Sequence, residues 1–442
     1  MSERNASVLT SLQAIAKKAS ERPEYRFRDL FGMLNEEMLQ DSWRFIRKNA
    51  ASGVDRVSAR DYEQNLAGNI QQLVAELKRK RYRAKLVRRR YIPKANGKLR
   101  PLGIPATQDK LLQLAVKRIL EAIYEQDFLR SSFGYRPGVS ALDAVNKLTV
   151  KLQFGKYNYL VEADIKGFFD NLDHDWLLKM LAERVDDKAL LWLIKKWLKA
   201  GVLDTDGKTL RPEAGSPQGG IISPILANIY LHYALDLWFQ KVVVPHCLGE
   251  ACLIRFADDF VCAFELEADA ERFYASLGER LGKFGLELAA DKTQIIPFSP
   301  KITPGKTCFD FLGFEFRWGL DRSGKPHVDR RTSRKRLRSS QLRFKEWCKD
   351  NRNRRLPDLF KALNAKLRGY YNYFGIYGNS RSLSEFYYYV VKTLAKYLNR
   401  RSQRKSYNWL GIKTMFEQFG LVKPLLPGHP KFSKTMLATG SS

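Results

Sequence analysis

Apolar and polar positions along the chain switch between the period of a helix and that of a strand, and this switch predicts the order of elements. Residues 25 to 80 have mainly helical spacing. The segments 86–93 and 99–104 are rich in β-branched and aromatic residues and predict two strands joined by a turn at 95–98. Because arginines and lysines line both segments, this is a basic β-hairpin. A helix is predicted over 108–127, where apolar residues recur along one side.

The middle of the chain mixes both periods. A strand is predicted over 159–165, and helices are predicted over 175–184, 188–200, 221–240 and 267–284. Two apolar runs, 253–256 and 260–264, predict a second, tight hairpin, and further strands are expected near Gln294 and Phe309. This alternation predicts an α+β fold in which an antiparallel sheet is backed by helices on one face. After Arg330 the pattern predicts only helices.

The positive charge of the chain indicates which kind of molecule it binds. The 442 residues have a formal net charge of +30, and the residues from 321 onward contain 28 Lys and Arg against 7 Asp and Glu. This excess predicts a polyanionic partner, either nucleic acid or an anionic membrane surface. No apolar run has the length of a membrane span, and the N-terminus has no apolar segment of the signal-peptide type. We therefore expect a cytoplasmic protein that binds nucleic acid, associates with the nucleoid through it, and does not bind membranes.

Three short segments contain candidate chemistry. Asp164 ends a strand just before Gly167, where its carboxylate can project into a cleft. Gln218 lies in a glycine-rich loop, whose backbone allows a bulky planar group to approach closely. Asp258 and Asp259 occupy the tip of the second hairpin in apolar surroundings, where ionised carboxylates require a cation or hydrogen bonds. The alternatives are a helix cap, a simple tight turn and a solvated hairpin tip, respectively.

In chain order, Asp164, Gln218 and the pair Asp258-Asp259 resemble the palm motifs of reverse transcriptases. Six blocks are similar to those of bacterial group II intron reverse transcriptases, the intron-encoded maturases: Arg100-Pro101-Leu102-Gly103-Ile104-Pro105, Phe133-Gly134-Tyr135-Arg136-Pro137-Gly138, 164–170, 218–224, Asp291-Lys292-Thr293 and Phe311-Leu312-Gly313-Phe314. The resemblance spans residues 27–421. It implies a right-hand polymerase with helical fingers that carry the basic β-hairpin, a palm of antiparallel sheet backed by helices, and an all-α thumb. The implied boundaries are 1–75 for the N-terminal extension and the start of the fingers, 76–155 for the fingers, 156–320 for the palm, 321–415 for the thumb or maturase domain X, and 416–442 for a short C-terminal tail.

The resemblance also implies two-metal nucleotidyl transfer. Asp164 and Asp258, with Asp259 as a weaker ligand and the backbone carbonyl of Ile165, would hold two Mg²⁺ ions, for which Mn²⁺ could substitute. The implied dNTP contacts are Arg88, Lys94, Arg100, Phe168, Phe169, Gln218 and Lys292. Either Phe168 or Phe169 would exclude a ribose 2′-hydroxyl, and the choice between them stays open. The basic hairpin could instead contact template phosphates.

Basic and aromatic residues alternate in the C-terminal part, a pattern typical of surfaces that bind RNA or a duplex. The residues expected to bind nucleic acid crowd one predicted helical segment: Arg330, Arg331, Arg334, Lys335, Arg336 and Arg338. The partners implied by the resemblance are an RNA template with a DNA or RNA primer, dNTPs and group II intron RNA. The oligomeric state is left open.

Three functions are compatible with these residues. The first is an intron-encoded reverse transcriptase with maturase activity, and the second is a free-standing reverse transcriptase used in DNA repair or phage defence. The third is an RNA-binding splicing factor that does not polymerise, against which Asp164, Asp258 and Asp259 argue. Since the residues after 415 contain no Cys, we expect no endonuclease domain of the Cys- and His-containing type. Phe256 stands where the resembled family usually has Tyr, so contacts that need the phenol hydroxyl are not implied.

Overall fold

The fold has two units, which are described separately. The computed structural model describes residues 3–93, 99–210, 214–216, 219–301, 307–401 and 407–425. Unit 1 comprises residues 1–148 and 156–295, and unit 2 comprises residues 149–155 and 296–442. No helix within the described ranges is both long and apolar enough to cross a membrane.

Unit 1 is mainly helical. Its helices are α1 (Glu3–Glu21), α2 (Glu36–Trp43), α3 (Ala59–Glu63), α4 (Leu66–Lys78), α5 (Thr107–Tyr124), α6 (Ala141–Phe154, ending in unit 2), α7 (His174–Ala182), α8 (Lys188–Leu198), α9 (Ser223–Leu231), α10 (Val244–His246) and α11 (Glu267–Gly282). Two π-helical turns, His232–Asp236 and Phe239–Val243, lie between α9 and α10. The predicted helical stripe of α5 is confirmed, because Leu111, Ala115 and Ile119 are all fully buried. Helix α1 was not among the predicted elements.

Two sheets complete unit 1. Its strands are β1 (Val87–Pro93), β2 (Leu99–Ile104), β3 (Tyr159–Ala163), β4 (Val202–Leu203), β5 (Thr209–Leu210), β6 (Ala251–Phe256), β7 (Asp259–Phe264) and β8 (Gln294–Pro297, which crosses into unit 2). One sheet has the strand order β2-β1-β4-β5 and the other has the order β6-β7-β3-β8. In the second sheet β7 pairs antiparallel with both β6 and β3, and α11 packs against β3 and β7. The antiparallel pairing of β1 with β2, the second predicted hairpin and the helix-backed antiparallel sheet are therefore confirmed, whereas the predicted turn at 95–98 lies outside the described residues.

Unit 2 begins with strands and continues with helices. Its elements are β9 (Cys308–Phe311), β10 (Phe314–Leu320), β11 (Pro326–Thr332), α12 (Arg334–Asn351), α13 (Leu356–Phe374), α14 (Ser380–Leu398) and α15 (Trp409–Gln418). The strands form a sheet in the order β11-β10-β9, in which Phe314 and Phe316 are fully buried. The rings of Phe309 and Phe316 stack with their centroids 4.9 Å apart.

Two predictions are wrong: that residues 321–415 are all helical, and that Arg330 and Arg331 lie on a helix with the other basic residues. Both lie on β11, where Arg330 is opposite Phe316 and Arg331 is opposite Glu315, with which it also forms an ion pair. Strand pairing across the sheet therefore overrides the local helical pattern. Helix α12 starts only at Arg334, because the Ser333 side chain caps it by accepting a hydrogen bond from the Arg336 amide.

A buried carboxylate ties α5 to the segment before β1 in unit 1. Asp109 accepts hydrogen bonds from the Tyr82 hydroxyl at 2.6 Å and from the Lys85 amide at 3.1 Å. The Trp197 indole donates to the same Tyr82 hydroxyl at 2.8 Å. Burial nevertheless raises the pKa of Asp109 to about 6, because the hydrogen bonds only partly offset the loss of water around the charge.

Replacing this carboxylate should flatten the pH dependence of stability. Between the ordinary pKa of 3.8 and about 6, folded Asp109 retains a proton that the unfolded chain has lost. The free energy of unfolding therefore falls as the pH rises through this window, by about 3 kcal/mol from this group. Asp109→Asn should remove that fall and should also lower the free energy of unfolding by a similar amount at each pH. Denaturant unfolding at pH 4, 5 and 6 measures both effects. Asp204→Asn is the control, since the pKa of Asp204 lies below its ordinary value. The same slope in wild type and Asp109→Asn would contradict the expectation.

Candidate active site

The first candidate carboxylate lies at the point where β3 ends. Asp164 follows Ala163, the last residue of β3, and its backbone carbonyl accepts a hydrogen bond from the Ala289 amide at 2.8 Å. Gly167 then adopts a φ of +57°, which an L side chain rarely tolerates, and turns the chain into the short 3-10 helix Phe168–Asp170. The carboxylate is thus fixed at a sharp turn at the end of a buried strand.

The other two candidate carboxylates lie on the tight turn between β6 and β7. Phe256 pairs with Asp259, so only Ala257 and Asp258 form the loop. Ala257 has a φ of +58°, a left-handed conformation that costs a non-glycine residue about 1 kcal/mol. Such a conformation persists only where surrounding contacts hold it.

One buried side chain provides much of that support. Arg255 is fully buried and uses its guanidinium to bind Asp236, with distances of 2.7 Å from Nε and 2.6 Å from Nη2. Its Nη1 donates to the Ala257 carbonyl at 2.9 Å and to Asn228 Oδ1 at 3.1 Å. Its Nη2 also donates to Ser132 Oγ at 2.7 Å. Sequence reasoning missed this group, although a charged residue inside the apolar run of a strand was a usable signal.

The back of the turn is packed against the segment that contains Phe133 and Gly134. The Phe133 amide donates to the Arg255 carbonyl at 2.8 Å, and the Asn228 side chain donates to the Gly134 carbonyl at 2.6 Å. A Cβ atom on Gly134 would collide with the backbone nitrogen of Ala257. Glycine is therefore required here for close approach to the turn. The sequence pattern alone does not indicate this role of Gly134.

Most of the predicted site residues of unit 1 line one open cleft. They are Arg100, Asp164, Ile165, Phe168, Phe169, Asp258, Asp259 and Lys292. Arg88 is not among the lining residues. It shares a face of the β1-β2 hairpin with Arg100, because Arg88 pairs with Ile104 and Arg100 with Ile92, but it lies four residues nearer the base of the hairpin. Lys94 and Gln218 lie outside the described residues.

The carboxylates of the cleft repel one another. Partial desolvation, with repulsion from Asp164, raises the pKa of Asp258. Desolvation, followed by repulsion from Asp258 and Asp164, raises the pKa of Asp259 to about 6. Lys292 donates a hydrogen bond to Asp164, and this contact raises the pKa of the lysine. The cleft therefore favours a cation beside its carboxylates.

Carboxylate and carbonyl oxygens are the donors that a hard divalent ion prefers, so Asp164, Asp258, Asp259 and the Ile165 carbonyl fit such an ion in chemical type. In the described residues, however, no group of three or more His, Cys, Asp or Glu side chains is arranged to hold a metal ion. The ammonium group of Lys292 is the cation that contacts Asp164 in this structure.

The two adjacent phenylalanines differ in burial. Phe168 is only 2% exposed and its ring lies against Tyr230, with centroids 6.5 Å apart, whereas Phe169 is half-buried. The Phe169 carbonyl accepts a hydrogen bond from the Ser216 amide at 2.7 Å. The preceding residue, Gly215, is held in turn by buried His174, whose Nε2 lies 2.7 Å from the Gly215 carbonyl. The loop that leads to Gln218 is therefore tied to Phe169.

Unit 2 places its basic residues on more than one surface. Arg330, Arg331, Arg334 and Arg338 line one cleft together with Arg317 and Arg381. Arg336 instead lines a second pocket with Lys366, Tyr370 and Tyr373. Lys335 is exposed and lines neither. The six residues of the predicted group are thus divided: four line the first cleft, one lines the second pocket, and one lines neither.

Comparison with known proteins agrees with this arrangement. Residues 92–316 match the family model described as reverse transcriptase (RNA-dependent DNA polymerase), and residues 337–414 match the group II intron, maturase-specific domain. The first match covers more than half of the chain and includes all three candidate carboxylates. The chain belongs to the group II intron reverse transcriptase and maturase family. Membership implies the polymerase fold, with which the mixed helices and sheets agree.

Three relatives define how far the similarity extends. Protein YkfC of Escherichia coli strain K12 is 32% identical over 350 residues, which are 71% of this chain and 89% of YkfC. Group II intron-encoded protein LtrA of Lactococcus lactis subsp. cremoris is 47% identical over 164 residues, 37% of this chain and 27% of LtrA. The 91 kDa protein in the cob intron of Schizosaccharomyces pombe is 34% identical over 244 residues, 54% of this chain and 30% of that protein. The chain thus covers most of YkfC but less than a third of the other two.

Proposed function

We propose that the protein is an RNA-directed DNA polymerase that also binds group II intron RNA and assists its splicing and mobility. The observation that supports this most strongly is the cleft of unit 1, where Asp164 at the end of β3 and Asp258 and Asp259 at the hairpin tip converge with the cations Arg100 and Lys292. Family membership connects this arrangement with copying of RNA. A free-standing role in repair or defence and a splicing factor without polymerisation are less well supported, since the maturase match and the carboxylates occur together.

Each predicted metal or dNTP contact has a role in this proposal. Asp164, Asp258, Asp259 and the Ile165 carbonyl would hold two divalent ions, Mg²⁺ or Mn²⁺, which supply activation of a primer hydroxyl and neutralise phosphate charge. Arg100 attracts the triphosphate of the incoming dNTP from the β1-β2 hairpin. Lys94 and Gln218 are further proposed dNTP contacts. Arg88, farther down the hairpin, is better placed for template phosphates.

Lys292 and Phe169 are proposed to contact different parts of the incoming nucleotide, its phosphates and its sugar respectively. Lys292 pairs with Asp164 and lines the same cleft as the proposed metal ligands, so its ammonium group can also pair with phosphate oxygens. Because Phe168 is part of the core, we propose Phe169 as the ring that excludes a ribose 2′-hydroxyl. Steric exclusion by a ring held through the Ser216 hydrogen bond requires no polar group on the ring itself.

The proposed domains follow the polymerase plan. Residues 1–155 supply the N-terminal extension and the fingers, residues 156–320 the palm, and residues 321–415 the thumb or domain X, followed by a tail over 416–442. The maturase-specific match over 337–414 falls within the proposed thumb. The arginine cleft of unit 2 is the proposed contact with the template–primer duplex or with intron RNA, because arginines pair with backbone phosphates irrespective of sequence.

Removal of a proposed metal ligand should stop synthesis and leave RNA binding intact. Asp258→Ala should lower primer extension on an RNA template by about 1,000-fold or more, because the loss of metal-ion catalysis is worth several kcal/mol. Its affinity for RNA, measured by filter binding, should match wild type. Asp175→Ala, which removes an exposed carboxylate on α7, should retain full activity. A parallel loss of RNA binding in Asp258→Ala would argue against the assignment.

The choice between the two phenylalanines can be tested by sugar selectivity. Phe169→Val should raise incorporation of rNTP relative to dNTP by about 10- to 100-fold, because a smaller side chain no longer excludes the 2′-hydroxyl. Phe168→Leu is the matched control and should lower thermal stability without changing the ratio, since Phe168 is a core residue. Single-nucleotide incorporation kinetics measure both ratios. An unchanged ratio in Phe169→Val would remove the proposed role.

The basic cleft of unit 2 should contribute to RNA affinity through phosphate contacts. Loss of two such contacts in Arg334→Ala/Arg338→Ala should weaken RNA binding and reduce the slope of log affinity against log salt by about 2. Lys345→Ala/Lys349→Ala removes the same charge from α12 but outside the cleft, and should leave the slope nearly unchanged. Titrations of a structured RNA at several salt concentrations give the slopes. Equal slopes for the two double variants would contradict a specific role for the cleft.

A further inference from the structure

The ion pair between Arg255 and Asp236 is unusual in its burial. Both side chains are completely inaccessible to solvent. Removing two charges from water is expensive, and apolar residues of similar volume would fill the same space with equal or better stability. Stability alone therefore does not account for a charged pair at this position.

All the N–H groups of the Arg255 guanidinium donate hydrogen bonds. Its five N–H groups have five acceptors: two oxygens of Asp236, the side chains of Asn228 and Ser132, and the backbone carbonyl of Ala257. These acceptors come from three separate segments: the helix in which the first π-helical turn directly continues α9, the segment before Gly134, and the hairpin turn. A planar group with this donor pattern fixes all of them relative to one another.

The carbonyl of Ala257 is the acceptor nearest to the proposed chemistry. Ala257 has the left-handed conformation of the turn, and Asp258 is the next residue. The bond from Arg255 to this carbonyl, with Gly134 packed behind the turn, defines the direction in which the chain leaves Ala257. The same bond therefore restrains the backbone from which the carboxylate of Asp258 projects.

Asp236 lies at the end of the π-helical turn His232–Asp236. A π-turn inserts one residue into a helix and changes the side chains that face inward beyond it, and such turns are frequent at functional sites. Here the last residue of the π-helical turn is the one whose carboxylate accepts hydrogen bonds from both Nε and Nη2 of Arg255. The helix distortion and the buried pair are therefore parts of one local arrangement.

We propose that Arg255 and Asp236 are positioning residues that hold the turn at Ala257 and Asp258 in the geometry required for nucleotidyl transfer. This inference rests on the proposed polymerase function. Its distinctive consequence is that the shape of the turn depends on the pair even when no metal ion or nucleic acid is bound. Restoring the stability of the core without the pair should not restore the turn.

A pair of variants separates positioning from stability. Arg255→Met leaves Asp236 as an uncompensated buried charge and should lower the thermal midpoint strongly. Arg255→Met/Asp236→Leu replaces both charges by apolar side chains and should recover most of that midpoint. Turnover in primer extension should nevertheless remain about 100-fold below wild type, the loss expected for a displacement of about 1 Å in a reacting group. The dNTP concentration for half-maximal rate and the RNA affinity should be nearly unchanged.

Hydrogen exchange provides a readout without catalysis. In the free protein, backbone amides of the peptide that contains residues 256–260 should exchange faster in the double variant than in wild type, while amides of α11 should be unchanged. Arg118→Met/Asp41→Leu is the matched control, because Arg118 and Asp41 form a largely buried pair on α5 and α2 with a separation of 2.7 Å. That control should retain both wild-type turnover and wild-type exchange at the hairpin.

The outcomes are distinct. Wild-type turnover in a folded Arg255→Met/Asp236→Leu protein, or unchanged exchange at the hairpin, would overturn the proposal. If this variant does not fold, Arg255→Lys replaces it: lysine preserves the charge but not the five-donor fork, so a folded protein with reduced turnover supports positioning and one with full turnover overturns it. If the wild-type protein does not extend primers, the proposed function is refuted instead. Hydrogen exchange of residues 256–260 in wild type and the double variant would then still test whether the Arg255–Asp236 pair holds the turn.

Discussion

A single buried guanidinium connects the hairpin of the candidate site to the rest of unit 1. Arg255 binds Asp236 on a distorted helix, Ser132 on a loop and the carbonyl of Ala257 on the turn. Because all its donors are satisfied, displacing any one partner would leave a buried polar group without a hydrogen bond. The turn therefore cannot shift independently of the sheet and helices behind it. The left-handed Ala257 and the close approach of Gly134 are both parts of this arrangement.

The two sides of the β6-β7 turn differ in their balance of charge. Behind it, charge is balanced by a dry ion pair, whereas in front of it Asp164, Asp258 and Asp259 repel one another in an open cleft. A rigid support is what allows such repulsion to persist, since a flexible turn would move its carboxylates apart. Lys292 offsets part of the excess negative charge at Asp164. The same wall of the cleft thus joins an acidic cluster to a cation suited to phosphate.

Local patterns predicted a large part of the fold and of the site. The two hairpins and α5 follow from strand and helix periodicity, and Asp164, Asp258 and Asp259 stand out because carboxylates are rare beside apolar strands. Partners distant in sequence could not be predicted in this way: Arg255 and Ser132 are 123 residues apart. Arg330 and Arg331 had a helical pattern but joined a strand, because β10 offered backbone partners that the local sequence does not reveal.

The adjacent phenylalanines show most directly what packing adds to a sequence motif. A motif places Phe168 and Phe169 one position apart and cannot say which of the two side chains is buried in the core. The positive φ of Gly167 sets the orientation of the short helix that follows, directing Phe168 into the core against Tyr230. The half-buried Phe169 is then fixed through its carbonyl by the Ser216 amide. Two parts of the cleft that the sequence presents separately, the aromatic pair and the glycine-rich loop, are therefore mechanically coupled, so a change in the loop alters the position of the ring.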